Sequence, residues 1–149
     1  RLIKDGNITD VYIEEPIIPK ATSFGAIAAV FSTGFILGVA ATRCGCFCSM
    51  VPLQTWRSSL GLPTQGPKNV LQDPYYAQKF MGITNPKQRL SAAKRQYVKD
   101  RALEYARKQG SDPQDDNEGD AICLWHSIAQ KKREQEGAAR FDLFNTLTV

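Results

Sequence analysis

Alternating stretches of apolar and polar positions divide the 149-residue chain into strand-like and helix-like segments. Residues 8–18 (ITDVYIEEPII) hold a short apolar run that Pro16 interrupts, which predicts a buried strand ending at Glu14 and Glu15. Residues 46–56 (CFCSMVPLQTW) hold a second run of this kind and predict a second strand. The first part of the chain is therefore expected to contribute two strands to a sheet.

An uncharged stretch, Ala21–Thr42, separates the two predicted strands. Its length meets the minimum for a membrane span. The many Gly, Ala, Ser and Thr residues, and the strand directly before it, favour a buried helix that crosses over between the strands. Small residues at Gly25, Gly34 and Gly38 would let this helix approach a sheet or a partner helix closely. The crossover helix is the favoured interpretation, with the membrane span as its alternative.

The rest of the chain predicts helices around a long loop. Residues 60–89 are rich in Gly and Pro, with basic and aromatic residues interleaved, and predict a long loop holding at most one short helix. Residues 86–110 repeat apolar residues at helical spacing and predict a helix that Gly110 closes. In residues 112–134, acids precede an apolar run and basic residues follow it, which is typical of a helix whose ends complement its dipole.

Composition and charge narrow the possible classes of protein. Hydrophobic residues make up 42% of the chain, which suits one globular domain with a core. The 19 basic and 15 acidic residues give a net charge of +4, a mild bias toward polyanions. The four cysteines, Cys44, Cys46, Cys48 and Cys123, lack the spacing of a zinc knuckle. We interpret them as small, buried, reduced residues, which implies a reducing compartment.

One acidic residue, Asp120, lies directly before the apolar run of the last helix. On a helix, Asp116 and Asn117 share a face with Asp120, so these side chains would direct oxygens toward one point. Glu14 ends a predicted strand, and α/β proteins bind ligands at that edge of a sheet. Carboxylates from these two places would suit Mg²⁺. The alternative is that Asp115 or Asp116 caps the helix and the other acids favour its dipole.

Four stretches resemble one family of nucleases and occur in the family's order. The segments VYIEEP, STGFILGVAA, QTWRSSLG with SAAKRQ, and DDNEGDAICLW resemble the RuvC-type Holliday-junction resolvases carried by phages and prophages, within the RNase H-like superfamily. The last segment is the most specific of the four, because in the family two acids three residues apart precede Ala and an apolar helix. The likeness extends over the later two-thirds of the family's domain.

The resemblance implies an α/β fold, with an RNase H-like mixed sheet flanked by helices. It implies a divalent-metal-dependent endodeoxyribonuclease that hydrolyses phosphodiesters in branched DNA. Catalytic and metal-binding roles would fall on Glu14, Asp116, Asn117 and Asp120, with Mg²⁺ or Mn²⁺ as the cofactor, and Lys94 would neutralise the phosphate. It also implies a homodimer in the cytoplasm of a bacterial host, encoded by a phage or prophage, with no membrane contact.

Two departures from the family pattern change what is expected. The family's second closing acid falls on Asn117, which supplies an oxygen but no charge, so Asp116 is the alternative ligand. The family's first three strands and its first catalytic Asp do not precede Glu14, because the sequence begins with Arg1–Asp5, which predicts the end of a helix. Residues 1–149 are therefore expected to be a single, incomplete nuclease domain.

Basic and aromatic residues of the second half of the chain would contact DNA. The expected phosphate contacts are Arg57, Lys68, Arg95, Lys99 and Arg101. Tyr75, Tyr76 and Phe80 are available to stack on exposed bases. Asn117 and the absent first Asp favour a rival interpretation, a non-catalytic nucleic-acid-binding or structural protein on the same scaffold. A small membrane protein is the third possibility.

Overall fold

A computed structural model describes residues 8–16 and 24–146 of the chain. The fold is mixed α/β and 66% helical, with a two-stranded parallel sheet and flanking helices among the described residues. The chain divides into two compact units, Arg1–Thr55 and Trp56–Val149. The helix end predicted for residues 1–5 lies outside the described residues.

The first unit contains a strand, a helix and a second strand. Strand β1 is Asp10–Glu14, helix α1 is Phe24–Cys44, and strand β2 is Phe47–Val51. The strands pair in parallel, and helix α1 contacts both of them. The two strands and the crossover connection that the sequence predicted are therefore confirmed. The predicted extent of the second strand to residue 56 is wrong, because Pro52 has no amide hydrogen for a sheet and residues 53–56 begin a helix.

The burial predicted for this unit is wrong at two places. Every residue of β1 is only half-buried, and most of the large apolar side chains of α1 are exposed. Phe31 and Phe35 are 74% and 73% exposed, whereas Ala40 is fully buried. The physical reason is the size of the sheet, since the two strands described offer too little apolar surface to cover a helix of 21 residues.

Membrane spanning was the alternative for this stretch of sequence. Within the two described ranges, no helix is long and apolar enough to cross a bilayer.

The second unit is almost entirely helical. Its first helix, α2, is Leu53–Ser59, which begins at the end of the first unit. The 3₁₀ turn Val70–Gln72 and helix α3, Pro74–Lys79, follow within the predicted long loop. Helix α4 is Pro86–Lys108 and helix α5 is Asp116–Thr146. The short helix that the sequence predicted within the loop is therefore confirmed, and a 3₁₀ turn precedes it.

Local signals in the sequence account for where these helices begin and end. The Asn85 side chain accepts hydrogen bonds from the amides of Lys87 and Gln88, and Pro86 occupies the first turn of α4, where a missing amide hydrogen costs nothing. Gly110 follows α4 with a φ of 84°, a left-handed conformation that favours glycine. The predicted closure of this helix is confirmed. Helix α5 continues to Thr146, beyond residue 134, where the segment predicted to be helical ended.

Small residues let α4 and α5 pack closely. Ala102 and Ala106 of α4 are buried, as are Cys123 and Leu124 of α5. Gly119 is buried as well, and a Cβ added there would lie 2.8 Å from Leu103 Cδ2. The first turns of α5, which carry the acidic residues, are therefore held against the side of α4.

Candidate functional site

Asp120 forms an ion pair with Arg57 inside the second unit. Arg57 Nη2 donates to Asp120 Oδ1 over 2.7 Å, and the side chains of Arg57 and Asp120 are 2% and 28% exposed. Arg57 Nη1 donates to the carbonyl oxygen of Val98 over 3.2 Å, and the guanidinium lies 4.5 Å from the ring centre of Trp56. The acid in the first apolar turn of α5 therefore has a structural partner, a buried arginine from α2.

The acidic residues around Asp120 have separate roles. Asp115 accepts a hydrogen bond from the amide of Glu118 over 2.8 Å, which confirms the interpretation of Asp115 as the helix cap. Asp116, half-buried in the first turn of α5, forms an ion pair with Lys99 of α4. Asn117 is exposed. Two carboxylates one helical turn apart, Asp116 and Asp120, thus each contact one cation of the second unit.

The surroundings shift the pKa values of these two carboxyl groups in opposite directions. The hydrogen bond from Lys99 holds the pKa of Asp116 below its usual value. Burial raises the pKa of Asp120, and the lowering effect of the Arg57 charge does not outweigh it. Burial, with a smaller effect of Asp120, also raises the pKa of the Cys123 thiol to about 11, so this cysteine is protonated and inert at neutral pH. The surroundings therefore favour the charged form of Asp116 more than the charged form of Asp120.

We expect a carboxyl-carbon NMR titration to resolve this difference. Asp116 should titrate below 3.8 and Asp120 above 3.8, the ordinary value for both. In an Arg57→Met variant the pKa of Asp120 should rise further, because the neighbouring positive charge is lost while burial persists. Identical titration midpoints for Asp116 and Asp120 in the unaltered protein would contradict the assigned surroundings.

Glu14 lies at the carboxyl edge of the parallel strand pair in the first unit. It is half-buried and stands opposite Val51 in the strand register. The amide of Glu15 donates to the carbonyl oxygen of Val51 over 2.9 Å, which extends the pairing past the end of β1. The predicted position of Glu14 at a strand end is confirmed. Glu14 belongs to the first unit, and the acids of α5 belong to the second.

Lys94 is half-buried in the middle of α4. The backbone of the preceding loop lies directly against it, since a Cβ added to Gly66 would lie 2.6 Å from Lys94 Cα. This contact fixes the position along α4 at which the loop that contains Gly66 crosses the helix. The match of the SAAKRQ segment gave Lys94 its expected role at the phosphate, and that role stays a prediction.

The other predicted phosphate contacts differ in exposure. Lys68, Arg95 and Lys99 are exposed, and Arg101 is partly exposed and forms an ion pair with Glu104 at 2.6 Å. Arg57 is the exception, because its guanidinium is buried against Asp120. A phosphate contact by Arg57 would therefore require it to exchange a carboxylate for a phosphate oxygen.

The aromatic candidates also differ in exposure. Tyr76 is 3% exposed and packs in a cluster with Val70 and Ala93, whereas Tyr75 is 54% exposed. Burial and the hydrogen bond from the Tyr76 hydroxyl to Asp100, 2.9 Å long, raise the pKa of Tyr76 to about 12. Of these two tyrosines, Tyr75 therefore has the ring surface for stacking on a base.

The pairing of Arg57 with Asp120 was missed by sequence reasoning. Arg57 follows Trp56 in an otherwise uncharged segment, and Asp120 is a lone acid beside an apolar run. A buried charge is stable only when it is paired, so one lone cation and one lone anion at apolar positions were a usable signal. The hydrogen bond between the hydroxyls of Ser59 and Ser127, 2.7 Å long, had no such signal.

Within residues 8–16 and 24–146, no group of three or more His, Cys, Asp or Glu side chains is arranged so that it could hold a metal ion. Asp116 and Asp120 provide carboxylate oxygens of the kind that Mg²⁺ and Mn²⁺ prefer. Among the described cysteines, Cys46 and Cys123 are buried, whereas Cys48 is only half-buried. The predicted burial is therefore confirmed for Cys46 and Cys123 and is wrong for Cys48, and their reduced state stays a prediction.

Comparison with known proteins adds no relative. No family model, no curated protein and no solved structure matches the chain.

Proposed function

We propose that the protein is a divalent-metal-dependent endonuclease that hydrolyses phosphodiesters in branched DNA, as Holliday-junction resolvases do. The observation that carries the proposal is the pair Asp116 and Asp120, one helical turn apart at the start of α5. A helix start that only needed a cap would be served by Asp115, which already fills that role. The two further acids are not needed as caps, and each of them instead faces a cation of the second unit.

In the proposed site, Glu14 from the edge of β1 and Asp120 from α5 hold Mg²⁺ or Mn²⁺, with Asp116 or Asn117 assisting. The metal would activate water and stabilise the leaving oxygen of the phosphodiester. The ion pairs of Asp116 with Lys99 and of Asp120 with Arg57 are compatible with this use, because both carboxylates face positive charge. Metal binding would release both cations toward the phosphate.

Positive charge along α4 supports DNA as the substrate. Lys94, Arg95, Lys99 and Arg101 occupy two turns of that helix, and Lys68 precedes it on the loop. Neutralising phosphates with such residues is the main source of affinity for DNA. The proposal includes a homodimer, since symmetric cleavage of a four-way junction needs two sites, and the exposed apolar side chains of α1 support a second copy as its partner.

A second candidate function is a non-catalytic DNA-binding or structural protein. The ion pair of Arg57 with Asp120 favours it, because a 2% exposed arginine held at 2.7 Å is an adequate structural reason for the acid. Asn117, at the position of the family's second closing acid, favours it as well. In this function the basic face of α4 would bind DNA without cutting it.

Nicking of a synthetic four-way junction separates the two functions. We expect the protein to cut the junction with Mg²⁺ or Mn²⁺ but not in EDTA, and to leave a linear duplex of the same sequence intact. Binding of the junction without metal-dependent cutting would support the non-catalytic function.

A further inference from the structure

A cleft of about 380 Å³ lies between α3 and α4 in the second unit, outside the proposed metal site. Its volume is within the range of small-ligand pockets. Two tyrosines and two arginines contribute to its wall, together with two aspartates. These residues are Tyr75, Tyr76, Arg101, Arg107, Asp73 and Asp100.

The aromatic part of the cleft presents one exposed ring. Tyr75 is 54% exposed and meets the buried ring of Tyr76 edge to face, with the ring centres 4.9 Å apart. The backbone of Tyr75 is fixed as well, because its amide donates to the Asp73 cap of α3 over 2.9 Å. A ring held this firmly loses little freedom when a flat ligand stacks on it.

The polar part of the cleft favours an anion over a cation. Both Asp100 carboxylate oxygens accept hydrogen bonds inside the protein, one from Tyr76 and one from Gln96. On the basic side, Arg107 is exposed, whereas Arg101 forms an ion pair with Glu104 at 2.6 Å and its Nε is buried. The Asp100 carboxylate is thus occupied, while the exposed guanidinium of Arg107 remains to bind a ligand.

We propose that this cleft binds one unstacked nucleotide of a DNA strand, with its base on Tyr75 and its phosphate against Arg107. A stacking ring beside guanidinium donors is the arrangement by which proteins hold single-stranded nucleic acid. The proposal deepens the proposed function and rests on it for the choice of DNA, because a branch point exposes nucleotides that have lost a stacking neighbour.

The test is binding of two fluorescein-labelled DNA hexamers in EDTA, where no cutting occurs. One hexamer carries adenine at every position and the other is abasic at the four central positions. We expect the protein to bind the adenine hexamer about tenfold more tightly than the abasic one, which is the contribution of about one stacked base. Tyr75→Ala should remove that preference, and Tyr75→Phe, which keeps the ring, should retain it.

Arginine variants test the phosphate contact separately. Arg107→Ala should weaken binding of both hexamers equally and reduce the dependence of log affinity on log salt by about 0.7. Lys131→Ala, which removes an exposed charge from α5 outside the cleft, is the matched control and should leave the affinity for both hexamers and its salt dependence unchanged. Circular dichroism confirms that each variant folds.

Several results would overturn the cleft proposal. The first is equal affinity for the adenine and abasic hexamers, and the second is a base preference that persists in the Tyr75→Ala variant. The third is tighter binding of an RNA hexamer of adenine than of the DNA hexamer of adenine. Because these measurements need no metal, they are independent of the nicking assay. If the protein cuts the junction but shows no Tyr75-dependent base preference, the cleft proposal alone is wrong. If it shows that preference but does not cut the junction, the endonuclease proposal alone is wrong.

Discussion

Replacing Asp120 by alanine should lower the free energy of unfolding by about 3 kcal/mol, as measured by urea denaturation. The reason for this loss of stability is that the substitution leaves Arg57 buried without its carboxylate partner. Arg57 is 2% exposed, and without Asp120 its charge would be buried with, among the described residues, the carbonyl of Val98 and the Trp56 ring as its remaining partners. Removing one member of a buried ion pair costs far more than the pair itself contributes.

Two further variants separate this explanation from a general loss of packing. Asp116→Ala removes a more exposed pair with Lys99 and should cost under about 1 kcal/mol. Exchanging both members of the buried pair, in an Arg57→Met and Asp120→Leu double variant, should recover most of the lost stability, because no charge is then buried. A double variant less stable than Asp120→Ala would contradict the assignment.

Replacing Glu14 by glutamine should reduce metal-dependent nicking of a four-way junction by about a thousandfold. Glutamine keeps the size of the side chain and one oxygen but loses the charge that a hard divalent cation requires. A metal ion contributes several kcal/mol to charge stabilisation in the transition state, and about 4 kcal/mol corresponds to this factor. Junction binding in EDTA should be unchanged.

The chain offers a matched control for this variant in the next residue. Glu15 is exposed and follows the end of β1, so Glu15→Gln removes the same charge from the same edge of the sheet. We expect it to retain nicking within about threefold, because screening in water makes a single exposed charge a small term. Equal activity of the unaltered protein and the Glu14→Gln variant would remove Glu14 from the active site.

The elements that the sequence predicted best are those with local signals. Asn85, Pro86 and Gly110 mark the ends of α4, and helix formation there depends on capping groups within a few residues of each end. The strand ends at Glu14 and Val51 were predictable for the same reason, since the prolines that follow them prevent further pairing.

Burial and pairing were predicted less well because they depend on residues far apart in the chain. The apolar pattern of α1 indicated a buried helix, but how much of a helix is covered depends on the number of neighbouring strands, which no local pattern encodes. The same holds for Arg57 and Asp120, whose contact joins α2 to α5. The sequence located both charges at apolar positions but could not join them without the fold.

The central proposal is that Glu14 and Asp120 are ligands of a divalent cation, and calorimetric titration with Mn²⁺ tests it most directly. The titration is made on the unaltered protein, on Glu14→Gln, on Asp120→Asn and on the double variant, each confirmed to be folded. If the cation is shared, each single change should weaken Mn²⁺ binding by about tenfold or more, and the second change should add little to the first. No Mn²⁺ binding by the unaltered protein, or losses that multiply in the double variant, would contradict the account.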